Sequence, residues 1–490
     1  DLRTLLHYSP ADLAHKVLVT DSIGPETLET FRERGAEVLC TTTPQVFGER
    51  RADLQILHAL SIAHLSKDPQ SIGEEDYLEL LAALNARPRI IHPRGEIKNR
   101  HKFAYLYYPP ARRDLFRDPR LRWLRTMPEG VQDFAERLLA RRPIRAYGHA
   151  RGIVSPTGEE AEGWILNLPV TAESIAQRGP RYAEERLGEA AALAGRLGAE
   201  IIGVGDFARE MSDAATAVAS RSEIPITSGA SYAVSASMWA AKQAILALGL
   251  IEQDEVGRAD ATALVVGAGG PTGAAAAEIL ALVFNRLVLV DRDTDRLDGL
   301  LERVAERSPH CSVELVTEVA SELPHADLVV TGLSAGWVGA VDLAGRVKSG
   351  AVVLDCCRPA EFREAAASAR PDVLVLRAGE IELPGPADLG ARLGPPPKTT
   401  FASAAEAIVL ALEGRYECFT LGGDLDLEQV KTIYKLGLRN GMRLAGMRGP
   451  FGPVTETDIK LVRERVEALR RVEELPPPLE RLEPSGPQSG

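Results

Sequence analysis

Long apolar runs are missing from this 490-residue chain: none approaches the ~20 consecutive apolar residues that a membrane-spanning helix needs. Cysteine is scarce. The five present (Cys40, Cys311, Cys356, Cys357, Cys418) form no CxxC pair and no even framework, which points away from a disulfide-stapled fold and toward reduced thiols in a cytoplasm. No secretory signal, internal repeat or metal-ligand cluster is read. The chain begins at Asp1 without a methionine, so a preceding segment is expected. Basic charge is not in excess either, and a net charge of −12 argues against a general nucleic-acid binder.

What is present is an ordinary soluble composition, 45% hydrophobic and 26% charged, in a chain long enough for about three domains. The charge is unevenly spread. Residues 87–125 carry twelve Lys or Arg against three acids, which leaves −21 on the rest. A basic patch on an acidic protein suits a phosphorylated or acidic partner, the alternative being a solvated charged face.

Residues 1–100 read as an α/β lobe: "KVLVTD", a helix closed by glycine, "AEVLCTTTP", another helix and "RIIHP", with no phosphate-cradling loop. A second α/β domain, taken as the substrate side, is expected over 101–228. Over 229–395, six short β-rich runs alternate with helical stretches: "TALVVG", "RLVLVD", "SVELV", "DLVVTG", "AVVLD" and "VLVLRAG". That alternation predicts a doubly wound parallel sheet of the Rossmann type. "LGPPPK" reads as a linker to C-terminal helices (396–471) that close the cleft, and the Pro-rich 472–490 reads as disordered.

The strand–turn–helix "ALVVGAGGPTGAAAAEIL" holds Gly267, Gly269, Gly270, Pro271, Thr272 and Gly273 in its turn. Glycines there let the backbone bend, let a pyrophosphate approach and let helix and strand pack closely, with the diphosphate on the helix N-terminus. Asp291 ends the next strand and completes the dinucleotide pattern. It suits the ribose 2′-hydroxyl of NADH, whereas Arg292 and Arg296 suit the 2′-phosphate of NADPH, so both cofactors stay open. Ser334, Cys356 and Cys357 end the fourth and fifth strands and are expected near the nicotinamide. Either cysteine is an apolar filler or a thiolate nucleophile. His149 and His325 are lone histidines and read as structural, and Lys242 is expected to face solvent.

Near the start of "KTTFASAAEAIVLALEGR", Ser403 and Glu406 lie three residues apart, on one face of a helix. Together with "GVGDFAREM" (203–211), "ITSGASYAVSASMWAAKQ" (226–243) and the glycine turn, this stretch resembles the long-chain acyl-[acyl-carrier-protein] reductases, which form fatty aldehydes. The resemblance covers residues 101–447 and leaves out the first hundred. It implies NADPH-dependent reduction of an acyl thioester to an aldehyde through a cysteine acyl-enzyme. The residue at that cysteine's position in this chain is Ser403.

A serine needs a strong adjacent base, and its oxyester accepts hydride poorly, so covalent catalysis through Ser403 is not expected. Three mechanisms stay open. Hydride reaches a carrier- or coenzyme-A-bound thioester directly, with Ser403, Ser231 or Tyr232 as oxyanion donors and Glu406 assisting; or Cys356 or Cys357 replaces the nucleophile; or the substrate is a simple carbonyl or alcohol. A nucleotide-binding relative without activity is a further alternative. On the thioester reading, residues 87–125 dock acyl carrier protein or the phosphates of coenzyme A.

Overall fold

In the computed structural model, the described residues are 17–20, 25–33, 38–41, 45–47, 50–51, 76, 89–91 and 100–473, less 119, 206–207, 255–256, 294–296, 333–339, 357–360, 378 and 423–424. Arg296, Ser334, Cys357 and the Pro-rich tail from 474 onward lie outside them. Ahead of residue 100, Val17–Thr20 pairs in parallel with Val38–Thr41, which pairs antiparallel with Arg89–Ile91.

The first lobe is built on Arg100–Tyr107 (β1). Every residue from Phe103 to Tyr108 is buried, as expected of a strand covered on both faces. Around it lie Arg145–Val154 (β2), Glu160–Asn167 (β3), Ile201–Val204 (β4) and Ile226–Thr227 (β5), in the order β5-β4-β1-β3-β2. Only edge strand β2 runs antiparallel to its neighbour. Helices Pro180–Arg196 (α1) and Arg209–Ala219 (α2) cover one face, where Leu187, Ala190 and Met211 join Ala104 and Leu106 in one core.

The helix Ala230–Leu248 (α3) then crosses between cores. Its first half contributes Tyr232 and Ala236 to the core on the other face of the first sheet. Its second half contributes Ala241, Ala244, Ile245 and Leu248 to the second lobe. Lys242 is exposed, as its position on the helix predicts.

All six predicted β runs of the second lobe form strands: Ala259–Val266 (β6), Phe284–Val290 (β7), Ser312–Val316 (β8), Leu328–Thr331 (β9), Val352–Asp355 (β10) and Leu374–Arg377 (β11). They make one all-parallel sheet in the order β8-β7-β6-β9-β10-β11. This is the doubly wound Rossmann order, with its switch point between β6 and β9. Helix Pro271–Ala281 (α4) follows β6.

After β11 the chain returns to the first lobe. Glu380–Glu382 (β12) pairs antiparallel with Thr399–Phe401 (β13) and Arg443–Leu444 (β14). "LGPPPK" is therefore a loop within one small sheet. Helix Ala402–Leu412 (α5) is buried along its whole length against β1 and β4. Helix Leu427–Arg439 (α6) follows. Only the start of α5 reaches a cavity, and the rest of α5 lies in the core of the first lobe. Val462 and Val466 of the last helix, Glu456–Glu473, join the Rossmann core, so the C-terminal helices do not form one closing unit.

Small residues make that burial feasible. A Cβ on Gly203 of β4 would fall 2.8 Å from the Ala407 methyl, and one on Gly229 would fall 2.4 Å from the Ser403 carbonyl oxygen. Gly229 also has φ +79°, which glycine adopts without strain. It caps α3, and the carboxylate of Glu406 lies under the same helix end, accepting from the Tyr232 N–H at 2.9 Å and from the Thr227 hydroxyl. A carboxylate on the positive end of a helix is stabilised by orphan N–H groups and by the helix dipole. Glu406→Ala should thus cost about 2–4 kcal/mol of stability, because buried donors lose their acceptor. Urea denaturation checks the loss, and activity per folded molecule should persist. An unchanged midpoint with turnover abolished would return Glu406 to the chemistry.

Candidate functional site

The glycine turn meets the geometric demands of a phosphate cradle. Gly267 turns the chain at φ +77°, and the Gly270 N–H closes the turn on the Gly267 carbonyl at 3.2 Å. A Cβ on Gly273 would fall 2.2 Å from that same carbonyl oxygen, so only glycine lets α4 start this close to β6. Pro271 opens the helix, where its missing N–H removes no helical bond, and the N-cap residue, Gly270, has no side chain with which to cap the first turn. Among the described residues the first-turn N–H groups of Thr272 and Gly273 meet no capping side chain, the arrangement that suits an anion. Asp291 holds the turn from the next strand: its Oδ2 accepts from the Gly269 N–H at 2.8 Å and its Oδ1 from the Asp293 N–H at 3.1 Å. Arg292 is exposed beside it.

Gly332, at the end of β9, belongs to this site although sequence reasoning did not single it out. A Cβ there would lie 3.1 Å from the Gly267 carbonyl oxygen, across the switch point. The signal was present in "VVTG", a glycine directly after a strand at the crevice side of the sheet.

A cavity joins the two lobes at the carboxyl ends of β10 and β11. Its wall includes Asp355, Cys356 and Arg377 from the Rossmann sheet and Phe401, Ala402 and Ser403 from the first lobe. Cys356, expected near the nicotinamide, and Ser403 line this same cavity. Ser403 is almost wholly buried, and its Oγ lies 3.4 Å from the Tyr105 hydroxyl of β1. Cys356 is buried too; its N–H donates to the Thr331 hydroxyl at 2.9 Å, and its Sγ lies 4.0 Å from Ser237 Oγ. The Thr331 hydroxyl in turn donates to Asp355, which fixes the ends of β9 and β10 together.

The other proposed catalytic side chains sit elsewhere. Tyr232 is fully buried, and its hydroxyl packs against α6, where a Cβ on Gly437 would fall 2.1 Å from it. That hydroxyl has no hydrogen-bond partner among the described residues, and burial, reinforced by the Glu406 charge, raises its pKa far above the usual range. Tyr232 is a core residue and not a proton donor. Ser231 is also fully buried, its Oγ 2.9 Å from the Thr420 hydroxyl, and it too leaves the catalytic set. Glu406 caps α3. The face shared by Ser403 and Glu406 therefore looks at the start of that helix, and only the serine end opens toward the cavity.

His149 stacks on Trp164 with ring centroids 4.3 Å apart and accepts from Arg151 Nε at 2.7 Å, while His325 is exposed in a turn. The basic stretch is largely engaged where it is described. Arg100 pairs with Glu160 and Glu162, Arg112 with Asp133 and Glu136, and Arg113 with Glu364. Arg120, Arg122 and Arg125 are exposed. Among the described residues, no helix is long and apolar enough to cross a membrane.

A family model described as a domain of unknown function (DUF8754) matches residues 1–93, ahead of both lobes that form the site. The chain is similar to the aminotransferase PigE of a Serratia species, 28% identical over 332 residues, which is 65% of this chain and 36% of that protein. It thus spans about a third of the length of that curated relative. Among solved structures it is similar to shikimate dehydrogenase of Mycobacterium tuberculosis, at 12% identity and a TM-score of 0.29, covering 68% of this chain and 99% of the other. It is also similar to quinate dehydrogenase of Corynebacterium glutamicum in complex with NAD, at 14% identity and a TM-score of 0.28, covering 69% and 99%.

Two substitutions check the placements above. Tyr232→Phe removes a buried hydroxyl that makes no hydrogen bond among the described residues, so stability should hold or rise by up to ~1 kcal/mol with turnover retained; a melting curve and a rate measurement suffice. Gly273→Ala forces α4 away from β6 and should weaken dinucleotide binding at least tenfold, read by nucleotide fluorescence titration.

Proposed function

We propose that this chain is an NAD(P)H-dependent oxidoreductase that reduces a carrier- or coenzyme-A-bound acyl thioester to an aldehyde without a serine ester. One observation carries it: the cavity at the carboxyl ends of the Rossmann strands also receives Ser403, on the helix that resembles the acyl-[acyl-carrier-protein] reductases. The dinucleotide fits the residues present. Gly267 bends the chain at φ +77°, Gly273 lets α4 begin against that bend, and the start of α4 supplies N–H donors. Asp291, held on the Gly269 N–H, has a carboxylate at the end of β7 that favours a ribose diol, so NADH is the better fit.

When bound, the reduced nicotinamide supplies hydride to a carbonyl carbon. The chain's own part is to hold that carbonyl and to accommodate the charge that develops on its oxygen. With Tyr232 and Ser231 in the core, the Ser403 hydroxyl is the remaining member of the proposed donor set that lines the cavity. Tyr105, behind it at 3.4 Å, orients that hydroxyl. The tetrahedral adduct then collapses with expulsion of the carrier thiolate, which takes up a proton, and aldehyde is released. Cys356 lines the same cavity and is the alternative attacking group.

Purified protein incubated with acyl-coenzyme A and NADH or NADPH should consume the reduced nucleotide and form aldehyde in equal amounts. Ser403→Ala should lower kcat about 10- to 1000-fold, the range for loss of one oxyanion donor. Intact-mass analysis should show no acyl adduct. An adduct that disappears in Cys356→Ala would move the chemistry to that thiol, and the absence of aldehyde with any acyl thioester would refute the proposal.

A further inference from the structure

The cavity holds more arginine than hydride transfer to a neutral thioester uses. Five guanidinium groups line it (Arg113, Arg117, Arg363, Arg377 and Arg448), against the three carboxylates of Asp114, Asp355 and Glu380. They converge from the segment after β1, from Glu361–Ala369, from the end of β11 and from beyond β14.

The carboxylates do not match them one for one. Asp114 lies 3.3 Å from Arg117, Asp355 lies 3.9 Å from Arg363, and Arg113 turns to Glu364, 3.2 Å away and outside the lining. Glu380 alone serves both Arg377 and Arg448. Its side chain is only 3% exposed, and Arg448 Nε stands 3.4 Å from its Oε2. Neither that contact nor any other gives Glu380 Oε2, Arg448 Nε or Arg377 Nε a hydrogen bond among the described residues. Burial pushes the Glu380 carboxyl up and the Arg377 guanidinium down, so dehydration outweighs the pairing of these charges.

A wall with surplus guanidinium, brought together from four segments, matches the planar oxygens of a phosphate or a carboxylate. We infer that this arginine wall binds an anionic group of the substrate, with the reacting carbonyl left for the Ser403 and Cys356 side of the cavity. The anion is either a phosphate of the carrier arm or coenzyme A, or a carboxylate on the acyl chain itself. This rests on the cavity being the substrate site, as proposed above, but not on the reaction that occurs there.

Binding is therefore measured without turnover. Inorganic phosphate and succinate are each titrated against the full chain by calorimetry and by thermal shift, for wild type, Arg448→Gln and Arg117→Gln. At least one anion should bind wild type and raise its melting temperature, and each variant should weaken that binding fivefold or more. Arg117 is 58% exposed, so its variant keeps the test valid if loss of the Arg448 charge beside Glu380 unfolds the protein. In steady state, Arg117→Gln should raise KM tenfold or more for a substrate carrying the favoured anion, with kcat changed less, and leave an uncharged N-acetylcysteamine thioester unaffected. Stronger response to phosphate assigns the carrier arm, and stronger response to succinate assigns the acyl chain. Anion binding without aldehyde formation would remove the proposed reaction and leave the site standing. Failure of both anions to bind, or equal binding by the variants, would overturn the inference.

Discussion

A single buried carboxylate organises the meeting of the two lobes. Glu406 lies fully buried in the first lobe, and its oxygens accept from the Thr227 hydroxyl at the end of β5 and from the Tyr232 N–H at the start of α3. A buried carboxylate is tolerable only where donors and dipoles surround it, and the first turn of a long helix supplies both. Because α3 continues into the Rossmann core, this contact fixes the helix that both lobes share. It also sets Ser403, one helical turn earlier, beneath Gly229 and at the edge of the cavity.

That arrangement explains what the sequence could disclose and what it could not. The inner β runs were legible because a strand buried on both faces must be a short, nearly continuous apolar stretch. The edge strand β8 was legible because Val313 and Leu315 alternate with exposed polar residues, and the intervening helices left few other topologies. The glycine turn was legible because it rests on steric exclusions, a φ of +77° at Gly267 and no room for a Cβ at Gly273, that single residue types reveal. Helical spacing put Ser403 and Glu406 on one face, but spacing carries no information on depth. Apart from Ser403 and Glu406, α5 is apolar on every face, and that was the missed sign that its polar residues meet internal partners.

Tyr232 failed as a proton donor for a related reason. Its position beside Ser231 in "TSGASYA" says only that it starts a helix, and whether its ring faces a cavity depends on α6, some two hundred residues later, leaving a gap at Gly437. The linker reading of "LGPPPK" failed because proline marks an end of regular structure without saying which strands lie on either side; here β12 and β13 pair across it. The arginine wall was invisible for the strongest version of this reason, since its members come from four separate segments and meet only in the folded chain.

The charge on that wall bears on the difference between serine and cysteine at position 403. A thiol among guanidinium groups is favoured as thiolate, which a hydroxyl of much higher pKa is not. The chain keeps a thiol in the same cavity, on Cys356 at the end of β10, and places the hydroxyl of Ser403 against Tyr105. The two lobes thus contribute different functions to one space. The Rossmann side brings a thiol and Arg377, while the first lobe brings the Ser403 hydroxyl, backed by the buried Tyr105. The guanidinium groups themselves come from both lobes, Arg113 and Arg117 following β1 and Arg377 ending β11. The buried Glu380 between Arg377 and Arg448 limits the positive field of the arginine wall, and it does so at the cost of its own hydration.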